Sequence, residues 1–171
     1  ASSSSIVIEE GATFDIAGHY AYRVHNIVLN GGTLANYGPD QTNTGYGGIG
    51  NLTLTADSVL DIPYSTSVYC PDMKVDLGGH TIDNSDRPNA STFGFKSNTT
   101  LNIKNGTVKG GENALRADGS TNVTVKMDDV TVDDTAWAGI YFGANGIGKA
   151  NAKNMVLEMN NCTIKNAKKE S

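Results

Sequence analysis

Basic residues are sparse and scattered in this chain. Lys and Arg number 13 against 18 Asp and Glu, the net charge is −5, and the only cluster is the tail Lys165, Lys168 and Lys169. Such a distribution has no electrostatic footprint for a nucleic-acid backbone or an anionic membrane surface, so the reading is no nucleic-acid partner. Long apolar runs are missing as well: nothing approaches the roughly 18 residues of a membrane span, which argues against membrane insertion. With no basic-then-apolar leader, the chain reads as a mature or trimmed segment. Residues 1–5, Ala1 and four serines, read as a linker remnant ahead of a single domain over 6–171. Also missing is the Ala, Leu, Glu and Lys enrichment of a helical protein. Instead, 20 positions are Gly, 18 are Asn and 17 are Thr, a composition of strands and turns.

One template recurs: apolar, any, apolar, three polar or turn residues, Thr or Ser, apolar. Its copies are Ile27-Val28-Leu29 closing at Thr33-Leu34, Leu52-Thr53-Leu54 at Ser58-Val59, and Val75-Asp76-Leu77 at Thr81-Ile82. Leu101-Asn102-Ile103 closes at Thr107-Val108, Val125-Lys126-Met127 at Thr131-Val132, and Leu157-Glu158-Met159 at Thr163-Ile164; a degraded copy starts at Ile6. The period is about 23 to 26 residues, with one interval longer by about eight around Gly146-Ile147-Gly148-Lys149, which is solenoid spacing. Alternation within each copy has period two, so Leu101, Ile103 and Val108 face one way and Asn102 the other. A unit this short buries its apolar face only by stacking on copies above and below. A third strand-like piece lies upstream in each period, as in Thr92-Phe93-Gly94-Phe95, Ala114-Leu115-Arg116-Ala117 and Gly139-Ile140-Tyr141-Phe142. The expected fold is therefore all-β: a single-stranded parallel β-helix of about seven coils of roughly 24 residues, three strands per coil. An antiparallel sandwich explains the alternation but not the recurrence.

Stacking makes predictions about charge. Asp83, Lys109, Asp133 and Lys165 follow the closing position in four successive copies, giving a column of alternating sign; Lys104 over Asp128 and Lys126 under Glu158 are similar pairs. Asn105, Asp129 and Asn161 share one bend position and read as a side-chain ladder that satisfies turn backbone. Cys70 and Cys162, about three coils apart, are too distant for a disulfide and are expected to be free, buried thiols. His19, His25 and His80 fall in different coils without zinc spacing, so no metal site is expected. The run Gly45-Tyr46-Gly47-Gly48-Ile49-Gly50 lacks the Lys-Ser/Thr of a phosphate loop and reads as a turn.

The segments Val75-Asp76-Leu77-Gly78-Gly79-His80-Thr81-Ile82 and Leu101-Asn102-Ile103-Lys104-Asn105-Gly106-Thr107-Val108 resemble coils of the right-handed parallel β-helix of the pectate-lyase-like superfamily. More narrowly, the chain resembles β-helical modules of large secreted or surface-anchored bacterial proteins, adhesins and polysaccharide-active proteins among them. The resemblance implies an extracellular or bacterial cell-surface location. It also implies that substrate binds the outer face of the upstream strand, where alternation puts Tyr69, Gly94, Arg116 and Tyr141 outward. Tyr rings stack on sugars, and Arg116 pairs with a uronate or, as pectate lyases use Arg, takes a proton beside it, with Asp118 on the same face. Trp137, beside the inserted loop, joins the candidate ligand-binding set. The plainer reading is that these side chains merely cover a sheet.

Galacturonan hydrolases of this fold carry Gly-His-Gly and Arg-Ile-Lys elements that are missing here, and the pairs Asp128-Asp129 and Asp133-Asp134 lie off that face. The expected function is a non-catalytic surface module for adhesion or contact with a polysaccharide or host glycan, with no cofactor. A uronate lyase using Arg116 and Asp118, with calcium, is the alternative. A spacer rod is the second. Open solenoid ends imply continuation into a longer rod or end-to-end self-association.

Overall fold

The computed structural model describes residues 5–16, 26–35, 50–61, 67–68, 72–143 and 152–168. In chain order the strands are β1 (Ser5–Glu9), β2 (Thr13–Asp15), β3 (Asn26–Asn30), β4 (Thr33–Ala35), β5 (Asn51–Ala56), β6 (Ser58–Asp61), β7 (Ser67–Val68) and β8 (Asp72–Asp76). There follow β9 (Thr81–Asn84), β10 (Phe93–Phe95), β11 (Thr99–Gly110), β12 (Leu115–Asp118), β13 (Thr121–Asp133), β14 (Ile140–Gly143), β15 (Lys153–Asn160) and β16 (Thr163–Lys165). Every strand pairing is parallel, and no described residue is helical. The chain is a parallel β-solenoid.

Three faces result. The first stacks β1, β3, β5, β8, the opening halves of β11 and β13, and β15; the second stacks β2, β4, β6, β9, the closing halves of β11 and β13, and β16. The third holds β7, β10, β12 and β14. The expectation of seven three-strand coils is thus corrected: the first two faces run through seven levels, but about four turns carry the third strand among the described residues. Period-two alternation sends Leu52, Leu77, Ile82, Leu101, Val125 and Val132 into one continuous core, each at most 1% exposed. Burial of such apolar columns is the main favourable term in folding.

One copy departs from the template. The register between β3 and β5 slips after Leu29, so that Asn30 pairs with Ala56, and this bulge inserts one residue. A single extra residue reverses the side of everything that follows it in the strand. Ser58 and Leu60 consequently point inward, at 2% and 1% exposure, while Val59, expected in the core, is 38% exposed. The inverted hydroxyl is satisfied: Ser58 Oγ donates to Ala56 O at 2.9 Å and accepts from Gly31 N at 3.2 Å.

Six asparagines stand at left-handed corner positions. Three columns adopt positive φ: Asn98, Asn122 and Asn154 (63°, 57°, 53°), Asn105, Asp129 and Asn161 (59°, 54°, 50°), and Gly110, Asp134 and Asn166 (74°, 55°, 53°). Asn and Asp tolerate this left-handed region better than other side chains and bond locally. Their amides also bond from coil to coil: Asn122 to Asn98 and Asn154 to Asn122, both at 2.8 Å, and Asn161 to Asp129 at 2.5 Å. The ladder expected at Asn105, Asp129 and Asn161 is present at its upper rung, while Asn105 donates instead to Asp76 at 3.2 Å.

The charge columns stack in register. Lys109 lies 2.9 Å from Asp83, Lys165 3.5 Å from Asp133, and Lys126 3.0 Å from Glu158. Lys104 is level with both Asp76 and Asp128 but bridges to Asp76 at 3.0 Å, so the expected Lys104–Asp128 contact is replaced by its lower neighbour. Burial pushes the Asp83 carboxyl up, yet hydrogen bonds from Ser85 and Lys109 outweigh it and hold the group below its usual 3.8. For Asp76, burial is likewise outweighed by Lys104, Gly78 and Asn105.

Two measurements check this account. Asn122→Ala should lower stability by about 1 to 2 kcal/mol, because it strains a left-handed position and cuts two ladder bonds, whereas Asn122→Gly should cost about half as much; urea midpoints compare them. Carboxylates with lowered pKa stabilise the fold fully above their unfolded value and lose that contribution as pH falls through the folded one. Urea midpoints should therefore drop below about pH 4, and Asp83→Asn should flatten that acid limb.

Candidate functional site

The third face positions the candidate residues by plain alternation. Phe93, Phe95, Leu115 and Ala117 are buried, and Ile140 and Phe142 pack against the same core, Phe142 edge-on to Phe95 at 6.3 Å. The intervening positions, Gly94, Arg116 and Tyr141, are register partners facing away from that core, with Gly94 itself buried. At the lower end Gly94 pairs with Ser67 and Phe95 with Val68. Tyr69 itself lies outside the described residues, as do Cys70, His19, His25 and the inserted Gly146-Ile147-Gly148-Lys149.

Arg116 is the centre of what remains. Its Nε donates to Asp118 Oδ2 at 2.6 Å and its Nη1 pairs with Glu112 Oε2. Its Cζ stands 5.9 Å from the centroid of the Tyr141 ring, and Tyr141 in turn meets Trp137 at 4.6 Å with a 47° tilt. Cation, phenol and indole form one layered group on the outer surface. Trp137 arrives there through the corner, since its backbone N–H donates to Glu112 O in the coil below at 2.9 Å. The structure brings Arg116, Asp118, Tyr141 and Trp137 together and adds Glu112. That residue sits in the corner 111–114, where the strand alternation is interrupted. Glu112 also accepts from Ser91 Oγ at 3.5 Å, and Ser91 from Asn113 Nδ2 at 3.2 Å.

Electrostatics here are decided by the two carboxylates. Burial alone draws the Arg116 pKa down, but Asp118 and then Glu112 outweigh it, and the guanidinium is held above its usual value. Removing a proton from it is correspondingly harder, which weighs on any role as a base. The trio carries a formal charge of −1. Asp118 Oδ1 is buried with no hydrogen-bond partner among the described residues.

Other features lie elsewhere. A groove of about 340 Å³ runs over the first face between Lys74, Asp76, Lys104, Lys126 and Asp128, several of them engaged in the ion pairs that align the sheet. Asp133 and Asp134 pair with Lys165 and Lys168, on the second face and its corner. Among the described residues no group of three or more His, Cys, Asp or Glu is placed to hold a metal. His80 is half-buried 3.6 Å from Asp57. Cys162 is a free thiol as expected, but half-buried rather than buried, because it lies in the last described coil with nothing described above it. Compared with family models, curated proteins and solved structures, the chain matches none.

The seat of Tyr141 offers a direct check. A Cβ on Gly143 would fall 2.6 Å from both Cζ and Oη of Tyr141, so the phenol end of that ring occupies the space a side chain there would take. Gly143→Ala should lift the ring from its seat with little cost to the fold. The expected result is a changed emission spectrum of Trp137, the only tryptophan, with an unchanged far-ultraviolet dichroism spectrum.

Proposed function

We propose that this chain is a non-catalytic β-solenoid module of a secreted or surface-anchored bacterial protein, related in architecture to the pectate-lyase-like β-helices, that contacts a glycan through Arg116, Tyr141 and Trp137. The observation that carries this reading is the layered group itself. The ion pairs and amide ladders of the first two faces link like levels of successive coils, whereas here two aromatic rings and a cation gather on one outer surface. Aromatic faces cover the C–H side of a sugar, while carboxylates and N–H groups bond its hydroxyls. A rod of stacked strands holds such a group rigidly, which lowers the ordering cost of binding.

A glycan array followed by titration tests the proposal. Wild-type protein should bind at least one glycan class, and Tyr141→Ala and Trp137→Ala should each weaken that binding by about tenfold or more, equivalent to about 1.4 kcal/mol. Binding unaffected by both substitutions would place the contact elsewhere, and no binding at all would favour a spacer rod. Release of unsaturated ends from a uronate polymer in calcium, abolished by Arg116→Ala, would overturn the non-catalytic assignment in favour of a lyase.

A further inference from the structure

Resting on that carbohydrate reading, we infer that the ligand of the Arg116 group is a neutral glycan and not a uronate. Arginine recognises a carboxylate best through two parallel N–H bonds from one edge of its guanidinium. At Arg116 that capacity is already drawn on from two sides, since Nε is bonded to Asp118 and Nη1 to Glu112. Nη2 is the one nitrogen of the group without a protein partner among the described residues.

Charge points the same way. A uronate that reached Nη2 would enter beside two carboxylates and only one cation, and like charges in a partly covered site repel more strongly than in water. Arg116 and Asp118 are 19% and 18% exposed and Glu112 is 27% exposed, so solvent screens them incompletely. A hydroxyl meets no such barrier. It can accept from Nη2 and donate to a carboxylate oxygen in the same pose. The Trp137 and Tyr141 rings supply the apolar surface that covers a sugar's C–H face, an interaction that needs no charge. The group is thus built from hydroxyl-compatible donors and acceptors around an aromatic wall, with its one cation already neutralised.

Trp137 reports on the group directly, because no other tryptophan contributes to emission. The intact chain is titrated with a panel of neutral hexose and pentose hexasaccharides, with hexagalacturonate, and with a glucosamine hexamer, at low and moderate salt. At least one neutral hexasaccharide should shift the emission with a Kd at least tenfold below that of hexagalacturonate, and added salt should leave its Kd unchanged. Glu112→Gln combined with Asp118→Asn should narrow the difference by raising affinity for hexagalacturonate about tenfold or more. Should that double variant fail to fold, the wild-type salt series decides alone: hexagalacturonate binding should strengthen as salt screens the carboxylates. Tighter wild-type binding of hexagalacturonate or of the glucosamine hexamer than of every neutral sugar overturns the inference and leaves the carbohydrate reading standing. No emission change with any sugar overturns both.

Discussion

Each interior strand of the solenoid finds its backbone partners in the coils immediately before and after it, in parallel register, and this vertical pairing is the constraint from which the remaining structure follows. Because the rungs sit about 4.8 Å apart, any residue repeated at one position becomes a column. Apolar residues in such a column make the core. Opposite charges make the Asp83, Lys109, Asp133 and Lys165 series, and amides make the corner ladders. A pairing slip would dissolve all three kinds of column together, so they jointly hold the register that creates them.

The corners show how local and long-range preferences agree. A left-handed residue costs most side chains about 1 to 2 kcal/mol, and a solenoid needs such a residue repeatedly. Asn and Asp reduce that cost, and the same amides then reach one coil down to bond their equivalents. Six of the eighteen asparagines are the compositional trace of this arrangement. Consistency between local conformation and stacking is what makes so small a repeat specify one structure.

How far the sequence was readable depended on which signals survive a shift. The solenoid class, the core columns and the outward placement of Arg116 and Tyr141 follow from alternation with a 23 to 26 residue recurrence, both visible without coordinates. Val59 departs from the template because the unpaired residue of the bulge, Thr55, falls among the polar turn positions the template already allows and leaves no mark in the pattern. Glu112 carries no strand signal because it lies in a corner, outside any strand alternation. The Asn98, Asn122 and Asn154 ladder leaves no trace in the apolar triplets because each Asn stands just upstream of them.

The bulge at Thr55 also bears on how such a chain can vary over generations. Its frame reversal is confined: Ser58 is levelled with Ile82 in the following coil, and from β9 onward the inside and outside positions run as before. Ser58 fits the interior because its hydroxyl finds a carbonyl and an amide within the rod. An insertion of a single codon, which in most sheets would scramble every downstream contact, is quarantined here to one short strand, leaving the rod free to accumulate length changes without losing its architecture.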